Sequence, residues 1–236
     1  LAPKDIAFVY SRAGTDWWEL TEMTKFRADP ENKYKYPTSA MAGYAHHDAV
    51  LRLLFANGHP FDLYYLDQPA TLQEILKYKV AVIPFAYSVS DPAAAILRSA
   101  QEKGVKLVLV RCLGETDEIG NRRETPALQA LAALPGVTFL DFDLLKDGTQ
   151  PETQKAILSA LERSLGEGRS LRVEPHGGDV EVGLLVHENG TRFIPMVNWS
   201  NKAADIDLGV LRLDPGEYEL WKHSLAGVSR AAKPDA

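Results

Sequence analysis

Apolar residues in the first two-thirds of the chain fall in short unbroken runs separated by helical patterns. Ile6-Ala7-Phe8-Val9-Tyr10, Phe61 to Leu66, Val80-Ala81-Val82-Ile83-Pro84, Lys106 to Val110 and Val137 to Leu140 are the runs. Short apolar stretches without alternation mark strands buried on both faces. Between them the period lengthens. Met41, Tyr44, Val50, Leu51, Leu54 and Phe55 are spaced as one helix from Ser39 to Asn57, where Asn57-Gly58 stops it. A short helical turn is expected around Leu72 to Leu76. Asp91 reads as an N-cap, with Pro92 at the first position of a helix that runs to about Lys103 and closes at Gly104. Thr125-Pro126 starts another helix, and Gln150-Pro151 opens one that reaches Leu165. The stretch from Asp16 to Pro37, with Trp17, Trp18, Phe26, Tyr34 and Tyr36, reads as a long polar and aromatic loop of the functional or interfacial kind.

Strand and helix alternating in this way predict an α/β domain over residues 1–166, an open and mostly parallel sheet with helices on both faces. Gly166 to Ser170 is a glycine-rich joint, after which no helical period remains. Leu171 to Val173, Val180 to His187, Arg192 to Trp199, Ala204 to Leu208 and Glu217 to Trp221 read as strands, and Asn189-Gly190 is a hairpin signal. Residues 167–236 are therefore expected to form a small antiparallel β-sandwich, with a frayed tail after Gly227.

Composition narrows the partners more than the fold. The 236 residues are 45% hydrophobic and 25% charged, as in ordinary globular chains, and the formal net charge is -6. The 26 Lys and Arg residues form no stripe. Nucleic acid and anionic membrane are thus not expected as partners. No apolar stretch approaches the roughly 20 residues that span a bilayer. Cys112 is the only cysteine, so no internal disulfide forms. The sequence opens Leu1-Ala2-Pro3, as in a processed product or a piece of something longer, and both cytoplasmic and exported bacterial homes fit.

Ligands of open α/β sheets bind outside the carboxyl ends of the strands. Three loops lie there: Tyr10 to Trp18, Pro84 to Ser90 and Arg111 to Glu118. Cys112, directly after a strand in Val110-Arg111-Cys112-Leu113-Gly114, resembles the nucleophile turn of class I glutamine amidotransferases. A thiol at that position needs a base or a positive field to ionise. The expected downstream His-x-Glu is missing, and the nearest match is His176 in Glu174-Pro175-His176-Gly177-Gly178. A small buried thiol at a strand end is the plainer reading. His46-His47-Asp48 carries two metal-ligand types, but adjacent helical positions diverge by about 100°, so one of the histidines is expected to face solvent. No metal site or cofactor is expected.

Glu115, Asp117 and Glu118 stand beside Arg111, Arg122 and Arg123 in sequence. Glycoside hydrolysis needs two carboxyls about 5 to 10 Å apart across a cleft, and one loop does not provide that span. Surface ion pairing or a subunit contact is expected instead. Trp17, Trp18 and Tyr87 suit either sugar stacking or an interface, with Arg111, Glu115 and Asp117 as polar neighbours. Asn189-Gly190-Thr191 and Asn198-Trp199-Ser200 match the glycosylation pattern weakly.

Several fragments resemble the trimerisation domain of family 42 β-galactosidases. They are Asp16-Trp17-Trp18, Tyr44 to Gly58 leading into Phe61-Asp62, Val82 to Asp91, Gly104 to Val110, and Thr116-Asp117-Glu118-Ile119-Gly120-Asn121. Phe193 to Trp199 and Gly216 to Trp221 are similar to strands of the small β domain that succeeds it in that family. The resemblance implies a flavodoxin- or glutamine-amidotransferase-like fold without its catalytic triad. It also implies homo-oligomers, a carbohydrate ligand, and catalytic glutamates on a preceding (β/α)8 barrel. Such a barrel takes about 250 residues, more than this chain can hold besides its two domains. No catalytic residue is therefore transferred to it. The chain departs from the family at Arg111-Cys112-Leu113-Gly114, where an Arg-Ser-Gly type of turn is usual.

Together these features read as a non-catalytic assembly or accessory region of a carbohydrate-active enzyme, shaping a sugar site in a neighbouring subunit. The alternatives are a Cys112-dependent amidotransferase-like hydrolase and a stand-alone carbohydrate-binding module.

Overall fold

The computed structural model describes residues 5–32, 35–147 and 150–166. Beyond these it describes 171–174, 180–182, 185–186, 191–198, 207–210, 221–224 and 227–230. In chain order the first part comprises β1 (Ile6–Tyr10), α1 (Arg12–Arg27), α2 (Ala42–Ala56), β2 (Phe61–Tyr65), α3 (Pro69–Leu72), β3 (Val80–Ile83) and β4 (Ala86–Ser88). It continues with α4 (Asp91–Glu102), β5 (Lys106–Val110), β6 (Leu113–Thr116), α5 (Gln129–Ala132), β7 (Val137–Leu140), α6 (Leu144–Asp147) and α7 (Pro151–Leu165).

Five strands pair in parallel in the order β2-β1-β3-β5-β7. This is the α/β sheet expected from the sequence. Because successive side chains point to opposite faces, each apolar run serves two cores. Ala7, Val9, Ala81, Ile83, Leu107 and Leu109 pack with Leu72, Ile75, Leu97, Leu128 and Leu131 on one side. Ile6, Phe8, Val80, Val82, Val108 and Val110 pack with Val50, Leu54, Ile157 and Leu161 on the other. Strand order reverses between β1 and β3, which places a crevice at their carboxyl ends. β4 and β6, which succeed β3 and β5 in sequence, form a separate two-stranded parallel pair with a register irregularity between Ala86 and Ser88.

The helices depart from expectation in informative ways. Residues Arg12–Arg27 form a 16-residue helix rather than the long loop expected after Asp16. Its buried residues are Gly14 and Thr15, so the inward face carries no apolar stripe to announce it. Small residues serve there because α1 lies close to its neighbours. A Cβ on Gly14 would come within 3.2 Å of the Ser88 backbone nitrogen, and one on Gly43 of α2 within 2.8 Å of Thr15 Oγ1. The N-cap of α4 is Ser90, which accepts from the Ala93 N–H, so Asp91 and Pro92 fall inside the first turn. The helix expected from Thr125-Pro126 begins only at Gln129.

Past Gly166 the described strands are β8 (Leu171–Glu174), β9 (Val180–Val182), β10 (Leu185–Val186), β11 (Arg192–Phe193), β12 (Met196–Asn198), β13 (Asp207–Val210), β14 (Trp221–Ser224) and β15 (Gly227–Arg230). They pair antiparallel in twos: β8 with β13, β9 with β12, β10 with β11, and β14 with β15. The β10–β11 pair brackets Asn189-Gly190, which lies outside the described residues. Gly227–Arg230 is a strand, where a frayed tail was expected.

Candidate functional site

Three groups of side chains meet at the carboxyl ends of the sheet. The first is the start of α1. Ser11 Oγ accepts from the Gly14 N–H at 3.1 Å, and Asp67 Oδ2 accepts from the N–H groups of Arg12 and Ala13 at 2.6 and 3.1 Å. The amino end of a helix is where such folds present N–H donors to an anion. Here the chain's own Asp67 takes those donors. Burial raises the Asp67 pKa, and the two backbone N–H groups act against that rise.

The second group is aromatic. Trp18 meets Phe85 and Tyr87 edge-on, with centroids 5.7 and 5.1 Å apart, and its Nε1 donates to the Ser39 carbonyl at 2.8 Å. Tyr87 stacks on Phe85. Trp17, adjacent in sequence, points elsewhere. Its Nε1 donates to the Glu118 carbonyl at 3.1 Å, and Gly120 lies against its ring so closely that a Cβ there would be 2.5 Å away. The tryptophans are thus fasteners in this crevice, each hydrogen-bonded and covered on part of its surface. Tyr36 is exposed, whereas Tyr34 lies outside the described residues.

His46 and His47 join this group, and both are buried, contrary to the expectation that one would face solvent. The two rings diverge as helical geometry requires, but each finds a different interior partner. The Leu144 N–H donates to His46 Nε2 at 3.1 Å, and the Ser11 N–H donates to His47 Nε2 at 3.2 Å. At His47 the acceptor role of Nε2 leaves the proton on Nδ1, which donates to the Gly43 carbonyl at 2.6 Å, whereas His46 has carbonyl oxygens at both ring nitrogens, Ala42 at 2.6 Å from Nδ1 and Phe142 at 3.1 Å from Nε2. Burial lowers both pKa values, that of His47 to about 4. These neutral rings bind loops to α2. Their burial was not legible from the doublet, although apolar Phe8, Tyr10 and Phe85 around them are. Among the described residues no three His, Cys, Asp or Glu side chains converge to hold a metal.

The third group surrounds Cys112. Arg111 takes φ 72°, an uncommon conformation for a residue with a side chain, and turns the chain sharply between β5 and β6. The Cys112 N–H donates back to the Val110 carbonyl at 2.9 Å. The next element is the strand β6, not a helix, so no helix amino terminus aims at the sulfur as the resemblance to an amidotransferase turn would require. The thiol is 4% exposed. Burial raises its pKa well above the ordinary value, the Glu115 charge raises it further, Arg111 opposes, and Asp141 and Asp143 add to the rise. Every influence but one favours the inert thiol. His176 lies outside the described residues.

Two arginines of this loop make their ion pairs with carboxylates outside it. Arg111 pairs with Asp141 at 3.3 Å, and Arg123 with Asp91 at 2.7 Å. Glu115 accepts from the Leu113 N–H, and burial raises its pKa. Asp117 is the centre of a tight turn. Its Oδ1 accepts from Ile119 and Asn121 N–H groups at 3.0 and 2.8 Å, and its Oδ2 from Asn121 Nδ2 at 2.9 Å. Its slight burial acts upward, but these bonds hold its pKa below the ordinary value. Ser88 Oγ donates to the Asp117 carbonyl.

No protein-family model and no curated protein matches the sequence. Solved structures do. The apo exo-carrageenase GH42 from Bacteroides ovatus superposes with a TM-score of 0.50 at 12% identity, over 98% of this chain and 27% of that one. Gan42B, a GH42 β-galactosidase, gives 0.37 at 22% identity over 56% and 17%. The β-galactosidase from the psychrophilic Marinomonas ef1 gives 0.41 at 15% over 78% and 34%. The fold is one found within GH42 enzymes. The chain spans between about a sixth and a third of the length of these structures.

Proposed function

We propose that the chain is a non-catalytic assembly and accessory region of a family 42-type glycoside hydrolase. In this reading residues 1–166 are the amidotransferase-like assembly domain and residues 167–236 a small β-sandwich. Copies associate, and a catalytic barrel elsewhere in the enzyme supplies the two glutamates, with this region helping to shape a sugar site in a neighbouring subunit. The carrying observation is the state of the crevice. At the position where a hydrolase on this fold would place its nucleophile, Cys112 is buried, lies in the field of Glu115, Asp141 and Asp143, and has no histidine acting on it among the described residues. The helix end that would hold an anion is filled by Asp67, and the aromatic rings are engaged with the protein itself.

Light scattering after size-exclusion chromatography tests the assembly claim. The expected result is a molar mass that is a multiple of 26.1 kDa and falls on dilution. A single-chain mass throughout a concentration series, up to about the millimolar range of weak association, would remove it.

A further inference from the structure

His46 holds a short helix against α2 through one ring nitrogen. The helix is α6, four residues long and too short to persist by its own hydrogen bonding. Leu144 seats it. That side chain is buried in the core with Ile157 and Leu161, and its N–H donates to His46 Nε2 at 3.1 Å. Leu144 also lines the groove between α2 and α7, together with Ala45, Leu53 and Leu158.

The same nitrogen faces a second group. The Phe142 carbonyl oxygen lies 3.1 Å from Nε2, and the Ala42 carbonyl oxygen 2.6 Å from Nδ1. A neutral ring has one N–H. With Nδ1–H donating to Ala42, the Nε2 lone pair accepts the Leu144 N–H and gains nothing from the Phe142 oxygen. An imidazolium has two N–H groups and finds both carbonyls already in place, but it accepts nothing from Leu144. The protonation state of one ring thus chooses between two partners on the segment that joins β7 to α6. Burial lowers the His46 pKa from 6.5; the two carbonyls and Asp143 act against that fall, and Arg111 adds to it. Asp143 is itself paired with Lys146 of α6 at 3.6 Å. On α2 the titratable neighbour is His47, and Phe85 presents an aromatic ring with its centroid 5.0 Å away. Because the folded pKa is the lower one, the Leu144 bond is complete above pH 6.5 and is lost as pH falls through the folded value.

We propose that His46 is an acid-operated latch: protonation moves its Nε2 bond from the Leu144 N–H to the Phe142 carbonyl, frees α6 from α2 and opens the groove at Leu144. Nuclear magnetic resonance on the full chain, titrated from about pH 7.5 to 4.5, tests it. At the upper end the His46 ring should carry its proton on Nδ1. As the ring takes up its second proton, the protection of the Leu144 amide against hydrogen exchange, corrected for the intrinsic effect of pH, should fall about tenfold with the same midpoint. The Ser11 amide, held by His47, should still be protected at that midpoint. His46→Gln, whose side-chain oxygen can accept from Leu144 without titrating, should keep the Leu144 protection constant over the range. Three results overturn the latch: a ring still neutral at about pH 4.5, Leu144 protection that does not follow the ring or falls together with that of Ser11, and a fall that persists in His46→Gln.

Discussion

Two adjacent histidines show how one residue type takes its role from what surrounds it. His47 lies beside Tyr10, with ring centroids 4.0 Å apart, and against Phe8 and Phe85, and accepts the Ser11 N–H, so protonation would break that bond and place a charge among aromatic rings. Among the described residues the one ionisable side chain whose charge acts on it is His46, which also disfavours the charge. Its pKa falls from 6.5 to about 4, meaning that the unfolded chain binds the proton more tightly than the folded one. Stability from this source is therefore complete above pH 6.5 and is lost as pH falls toward 4. The loss amounts to about 3 kcal/mol if the shift is fully expressed. Urea denaturation at about pH 7, 5.5 and 4.5 reads it directly. The midpoint should fall with acidification, and His47→Gln should flatten that fall while lowering stability at neutral pH.

At the scale of elements, α1 is seated by two glycines rather than by large side chains: Gly43 of α2 lies against Thr15 of α1, and Gly14 of α1 lies against the Ser88 backbone of β4. Gly43→Ala would set a Cβ 2.8 Å from Thr15 Oγ1 and 3.0 Å from its Cα, so one helix must move. A loss of about 1–3 kcal/mol is expected from such overpacking, measured as a shift in thermal midpoint, although alanine is the better helix former. The same contact explains why α1 was not legible from hydrophobic spacing. Its buried positions are Gly14 and Thr15, and its tryptophans point to loops instead of the sheet. Signals of another kind were present: Ser11 before Gly14, the Arg12–Asp16 pair at i,i+4, and Lys25 with Arg27 in the last turn. The strands, by contrast, were plain. Ile6–Tyr10, Val80–Ile83 and Lys106–Val110 are enclosed by helices on both sides, so their apolar runs had no other use. The site was only half legible. Strand ends marked the loops, but neither the Arg111 conformation nor Asp67, which arrives from a separate loop, has a local pattern to betray it.

For the molecule as a whole, the sheet builds the crevice that enzymes on this fold use and then fills it with its own groups. Asp67 covers the helix end, Trp17 and Trp18 tie down loops, and Cys112 is enclosed between β5 and β6 with carboxylates nearby. The exposed hydrophobic side chains Leu20 and Ile119 lie at its rim, where contact with another chain can use them. Iodoacetamide alkylation of the native protein at about pH 7.5, with intact mass as the readout, tests this inert crevice most directly. A native chain that stays unmodified for hours, and takes up one carbamidomethyl group at Cys112 once unfolded in guanidinium, is the predicted result. Modification of Cys112 within minutes in the folded state would reveal a thiolate, and with it a working nucleophile that contradicts the account.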